Sequence, residues 1–285
     1  MNALVIHPQS KQRLAETAKA PAHAILLVGP VGGGKASVAQ SLAETILGLP
    51  VGAFERHAYV LVIRPADSGS ISIEVVREVE RFLSLKVPGQ QAVNRVLIVE
   101  DAHSMTIEAQ NALLKTLEEP PAGTVILLTA SHERALLPTI LSRVQLLRLR
   151  KPDKASLTEH FISQGSNNQS VERAYTMSGG LPGLMAAVLA DTEHPLLQAT
   201  QTAREILSKS AYERLLMVDA LAKDKQQVVQ LAYILQQMAH VSLQSATGTA
   251  ASRWQSILAA AYETNEAIES SAQLKLTLTN LMLHL

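Results

Sequence analysis

Residues 24–35, AILLVGPVGGGK, constrain this chain more than any other stretch. A short apolar run ends in a glycine-rich turn, and ASVAQSLAETILG then carries helical periodicity as far as Gly48. Strand, glycine loop and helix in that order form the setting of a phosphate-binding loop. Glycines at 29, 32, 33 and 34 let successive backbone N–H groups turn inward around phosphate oxygens. Lys35 adds an ammonium where the helix dipole is positive. The following residue in such loops is a Ser or Thr that holds magnesium against the phosphates. Here it is Ala36. Ser37 comes one position late and, at about 100° per helical residue, points elsewhere.

Further apolar runs follow at 58–65 (AYVLVIRP), 95–103 (RVLIVEDAH), 124–131 (TVILLTAS) and 144–150 (VQLLRLR). Between them lie helical patterns, ISIEVVREVERFLSL at 71–85 and TIEAQNALLKTLEE, the latter stopped by Pro120–Pro121. Continuous Val/Ile/Leu strands alternating with amphipathic helices predict an α/β module with a parallel sheet covered on both faces. From residue 155 onward the periodicity is almost wholly helical. The spacing therefore predicts an α/β module over 1–150, a small helical lid over 151–195 and an all-α domain over 196–285. Leu196, Leu197, Ile206, Leu207, Leu215 and Leu216 fall at helical spacings, as do Val228, Leu231, Ile234 and Leu235, and read as core or helix–helix contacts.

The strand at 95–103 ends in Glu100 and Asp101, where P-loop ATPases deliver carboxylates to metal and water. The usual order is Asp then Glu; here it is reversed, which displaces each carboxylate by about one carbon–carbon bond. A pair of acidic residues simply facing solvent at a strand end is the plain alternative.

Composition narrows the classes. The 25 basic and 25 acidic residues cancel, which argues against a protein that grips DNA alone through a large basic face. The chain has no cysteine, so disulfides and thiolate zinc sites are excluded. Its nine histidines show no H-x-x-x-H pair, and no metal site is expected from them. The first residues lack an apolar signal core and no apolar run reaches membrane-spanning length, so a cytoplasmic protein is expected.

EDAHSMTIEAQNALLKTLEEPPAGTVILLTAS followed by LLPTILSR resembles the central signature of bacterial clamp-loader subunits of the AAA+ class, part of the DNA polymerase III assembly. IRPADSGSISIEVVREVERFLSLKVPG upstream, and SGGLPGLMAAVL and SAQLKLTLTNLMLHL downstream, are similar to the same family. The resemblance implies an AAA+ module, a lid and a C-terminal helical collar that holds a ring together. Motor subunits of the family usually carry an Arg in the turn opening a lid helix; here the turn is Gly180–Leu181–Pro182–Gly183. With Ala36 and the Glu100–Asp101 order, that turn resembles the delta-prime branch, largely non-hydrolysing ring members.

The resemblance also implies that Arg143, in the SR of LLPTILSR, is an arginine finger acting on a neighbour's γ-phosphate. An ordinary surface ion pair is the plain alternative. The implied partners are motor ATPase and clamp-opening subunits in a hetero-oligomer, the sliding clamp indirectly, and primed DNA through the assembled ring. ATP or ADP with magnesium is the ligand expected at the degenerate loop, if any. Bacterial relatives usually insert a four-cysteine zinc module after the first helix of the module, whereas GLPVGAFERHAYV is too short and lacks cysteine. Two other readings stay open: a motor-type AAA+ ATPase (gamma/tau-like) using Lys35, Glu100 and Asp101, and an AAA+ interaction protein of another assembly.

Overall fold

Both faces of one sheet are covered, which is why its strands read as unbroken apolar runs. The computed structural model describes residues 4–66, 69–85, 87, 92–192, 194, 196–269 and 272–285. The chain divides into two compact units, Met1–Pro152 and Asp153–Leu285. In the first, α1 (Pro8–Lys19) precedes β1 (Ala24–Val28), α2 (Lys35–Leu47), β2 (Val60–Ile63) and α3 (Ile73–Ser84). Then come β3 (Arg95–Val99), α4 (Ile107–Glu118), β4 (Thr124–Ala130), the single-turn α5 (Pro138–Leu141) and β5 (Gln145–Arg148). The strands are all parallel, in the order β2-β3-β4-β1-β5.

Alternation along each strand sorts the core into two layers. Leu26, Leu97, Ile126 and Leu128 pack with Val76, Val79 and Leu83 of α3, Leu113 and Leu117 of α4, and Ile140 of α5. Ile25, Leu27, Val96, Ile98 and Leu127 face the other way, against Val38 and Leu42 of α2 and Leu14 of α1. Thr106 caps α4, its side chain accepting from Ala109 N, so the expected 106–119 helix starts one residue in. Of the 63–89 stretch quoted above, residues 67–68, 86 and 88–89 lie outside the described residues, as does Ser271 at the head of the terminal segment. The polar composition of α1 hid it from periodicity; Pro8 at its first turn and buried Leu14 define it.

The short connection after α2 is organised from within. Gly48 closes the helix in the left-handed region, φ 66°. The buried Glu44 carboxylate accepts from Gly52 N, and Phe54 drops into the α1–α2 layer. A carboxylate and an aromatic side chain thus hold the segment for which the resemblance raised a zinc module.

The second unit is helical among its described residues. It comprises α6 (Lys154–Ser163), α7 (Asn168–Ser178), α8 (Pro182–Ala190), α9 (Leu197–Ser208), α10 (Ala211–Leu221), α11 (Lys225–Leu243), α12 (Gly248–Glu269) and α13 (Leu274–His284). This one unit takes in nearly all of the stretch expected as a lid and all of that expected as a collar. Val228, Leu231, Ile234 and Leu235 of α11 are fully buried, as the spacing predicted. Leu215 and Leu216 differ: they are exposed on α10, Leu216 to 64%, beside exposed Tyr212. Gly179, φ 61°, lies so close to α11 that a Cβ would stand 2.5 Å from Gln237 Cβ. No helix of the described residues is long and apolar enough to cross a membrane.

Candidate functional site

The carboxyl ends of β1, β2, β3 and β4 lie along one edge of the parallel sheet, the edge at which open α/β sheets gather ligands. The loop after β1 is anchored there by Gly29 N, which donates to Ala130 O of β4 at 3.1 Å. Gly32 and Gly34 have φ of 75° and 79°, which only glycine adopts without strain, and Gly34 caps α2. At Gly33 a Cβ would meet the Pro30 carbonyl oxygen at 2.9 Å. All four predicted glycines therefore build one tight loop at the start of α2. Lys35 is buried, and its Nζ donates to Pro30 O at 3.2 Å, folding the ammonium back onto the loop. Burial pushes its pKa below the ordinary 10.5, and the negative charge of Asp101 opposes that shift. Ser37 is exposed on α2.

Asp101 follows β3 in the left-handed region, φ 48°. Its N–H donates to Thr129 Oγ1 at 2.9 Å. His103 Nδ1 lies 3.9 Å from Asp101 Oδ1, and its ring stacks at a tilt 5.7 Å from that of His132. Burial lowers the His103 pKa, Asp101 opposes this, and the charges of Lys35 and His132 add to it. Glu100 is held differently. Arg64, at the end of β2, donates Nε to Oε2 at 3.1 Å and NH2 to Oε1 at 3.3 Å, and Gln40 Nε2 of α2 lies 3.4 Å from Oε1.

These residues do not fit a magnesium ion held as P-loop NTPases hold it. Position 36 offers a methyl group where the metal needs a hydroxyl. Both oxygens of Glu100 are engaged by a guanidinium. Among the described residues no cluster of three or more His, Asp or Glu could hold a metal.

Arg143 lies at the opposite edge. It sits two residues before β5, whose first residue, Gln145, pairs with Ile25 of β1, whereas Gly29 lies past the other end of that strand. At ~3.3 Å per strand residue, the offset from Ile25 to Gly29 is already ~13 Å, and Arg143 lines a cavity with His23, before β1 begins. No arginine side chain spans that distance, so Arg143 cannot serve the loop of its own chain. Its NH2 pairs with Glu118 Oε1 at 2.6 Å, while NH1 donates to Thr139 O at 2.9 Å and Ser142 Oγ at 3.1 Å. Its side chain stays 34% exposed, at the rim of an open cavity of about 670 Å³ that His23, Leu117, Glu118, Ser142 and Val144 also line. The guanidinium is aimed by the end of α4 yet open to solvent.

Sequence reasoning missed the residues that connect these groups. Gln110 of α4 is buried; its Nε2 donates to Met105 O and its Oε1 accepts from Leu137 N at 2.8 Å. It thereby ties the turn after Asp101 to the start of α5, which leads to Arg143. Thr129, the polar residue inside an otherwise apolar strand, and Gln110, a polar residue on the inner side of an amphipathic helix, each carried a readable signal. Arg64 and Glu118 carried none until the strand register and the α4–α5 packing were known. At the lid turn, Leu181 precedes α8 and Pro182 is its first residue, leaving no cation there.

The sequence profile of the family described as DNA polymerase III, delta subunit, matches residues 6–153. The DNA polymerase III subunit delta′ of Haemophilus influenzae is 31% identical over 183 residues, which cover 59% of this chain and 55% of that protein. That of Escherichia coli is 33% identical over 153 residues, 53% of this chain and 44% of that protein. The chain thus spans about half the length of the curated relatives it matches. A crystal structure of a DNA polymerase III gamma subunit-related protein from Thermotoga maritima superimposes with a TM-score of 0.55 at 20% identity, covering 97% of this chain and 98% of that one. The fold is therefore that of an AAA+ P-loop module with a helical C-terminal part. By its profile match across the whole α/β unit from Ile6 onward, the chain belongs to the DNA polymerase III delta-subunit family.

Proposed function

We propose that this protein is a delta-prime-like subunit of a DNA polymerase III clamp loader, a largely non-hydrolysing ring member. Its Arg143 serves as the arginine finger for a neighbouring motor subunit, offsetting charge that develops on the transferring phosphoryl group. Its own phosphate loop either cradles nucleotide phosphates or stays closed by Lys35, and the work of the subunit is to position its neighbours, including the clamp-opening subunit, while the ring loads the clamp on primed DNA. The single observation that carries this reading is the separation of Arg143 from its own loop by the length of the sheet, with the guanidinium paired to Glu118 and still partly exposed.

The test is reconstitution with clamp, motor and clamp-opening subunits, scoring ATP turnover. Arg143→Ala is expected to lower turnover by the motor subunit it abuts by ~10³-fold or more. Unchanged turnover in an assembly that still forms would remove the finger from the account. Robust ATP hydrolysis by the purified chain alone, lost in Lys35→Ala, would favour a motor-type ATPase instead.

A further inference from the structure

We propose that the Arg64 guanidinium stands in the divalent ion's place at Glu100, so that an internal cation, and not only the missing hydroxyl at position 36, closes this edge of the sheet to magnesium. The proposal rests on reading the 29–35 loop as a phosphate cradle and is independent of the role given to Arg143.

The pairing is built into the sheet. β2 and β3 run parallel with Ile63 beside Val99, so the next residues of the two strands, Arg64 and Glu100, emerge side by side. The ladder continues into Glu100, whose N–H donates to Ile63 O at 2.9 Å. The guanidinium presents two donors to two carboxylate oxygens, at 3.1 and 3.3 Å, the planar fork that makes arginine rather than lysine suited to a carboxylate. Gln40, reaching from the helix that begins with Lys35, adds a neutral donor to Oε1.

Exposure tells which partner covers which. The Glu100 side chain is 13% exposed and that of Arg64 53%, so the carboxylate lies inside and the cation sits over its solvent side. A metal approaching Glu100 would compete with two arginine donors and Gln40 for the carboxylate's lone pairs. It would also meet a fixed positive charge at contact distance. Surface ion pairs alone contribute little to stability. What the strand register enforces is occupancy of the carboxylate, not folding free energy.

The two obstacles to a metal, at 36 and at 64, are separable by substitution. Mn²⁺ is the probe, counted by electron paramagnetic resonance on the full chain at saturating ADP. The variants are Ala36→Thr, Arg64→Ala and the pair together, with Arg64→Gln as a second neutral replacement should Arg64→Ala fold poorly. Ala36→Thr alone is expected to leave Mn²⁺ binding weak. Adding Arg64→Ala or Arg64→Gln to it should tighten Mn²⁺ by ~10-fold or more, the scale on which outer-shell partners tune metal sites. Lys35→Ala in that background should abolish the gain, tying the ion to this loop. If Ala36→Thr alone binds Mn²⁺ as tightly as the pair, or if the pair binds ADP but no Mn²⁺, Arg64 is not what excludes the ion and the proposal fails while the cradle reading stands. If no variant binds ADP with or without Mn²⁺, the cradle reading fails and takes the proposal with it.

Discussion

The two edges of the sheet carry opposite kinds of machinery. At the carboxyl edge Lys35 folds onto Pro30 O, Asp101 N donates to Thr129, and Glu100 lies under Arg64, while the Asp101 side chain is half exposed. At the amino edge Arg143 is held by Glu118, Thr139 and Ser142 and stays 34% exposed. One edge has the shape of a ligand site in which Lys35 and Glu100 are engaged within the chain. The other holds a partly exposed guanidinium against Glu118, Thr139 O and Ser142 beside an open cavity.

The largest expected effect should strike both edges at once. Leu127 lies in the fully buried β4, in the layer against α2, so Leu127→Ala is expected to cost ~2–5 kcal/mol in chemical denaturation and weaken both sites together. A loss confined to one edge would show that the edges fold less cooperatively than a shared sheet demands.

Gln110 comes next, because it bonds to the turn after Asp101 and to the start of α5. Gln110→Leu keeps the volume but strands Leu137 N and Met105 O, at a cost of ~1–3 kcal/mol. It should also loosen Arg143, measurable as lowered motor turnover in the assembled ring; a stability loss with unchanged turnover would separate Gln110 from the finger. Glu118→Ala is smaller still for folding, within ~1 kcal/mol, since its pair with Arg143 is half exposed. Its effect should appear in motor turnover, where an unaimed arginine stabilises less charge.

The smallest effect is confined to the carboxyl edge and is read by pH. The Lys35 pKa is lowered in the folded chain, so in the window below 10.5 the unfolded chain binds the extra proton, and stability rises as pH increases through the folded pKa. Lys151, lowered by burial as well, acts in the same direction. Lys35→Met should flatten part of that rise in urea denaturation between mildly alkaline pH and 10.5. An unchanged slope would mean that Lys35 is not desolvated by the loop.

Much of this is legible in the sequence alone. Parallel α/β order, the glycine loop and the helical second half follow from periodicity and from where apolar runs stop, because burial on both faces leaves no polar alternation in β3 or β4. The resemblance singled out Arg143, but only the strand register shows how far it lies from Gly29. What stayed hidden depends on which strands are neighbours. Arg64 and Glu100 are far apart in sequence and meet through the β2–β3 register; Glu118 meets Arg143 through α4 and α5. The exposure of Leu216 escaped for a related reason, since helical spacing marks a face as apolar without saying that anything in the chain covers it.

The central claim is that this chain acts through Arg143 and not through its own phosphate loop. The direct measurement is ATP turnover of one reconstituted assembly carrying either Arg143→Ala or Lys35→Ala in this subunit alone. The account predicts a fall of ~10³-fold or more at the neighbouring motor site for Arg143→Ala, and near-parental turnover for Lys35→Ala. The reverse pattern, turnover lost with Lys35→Ala and kept with Arg143→Ala, would contradict it.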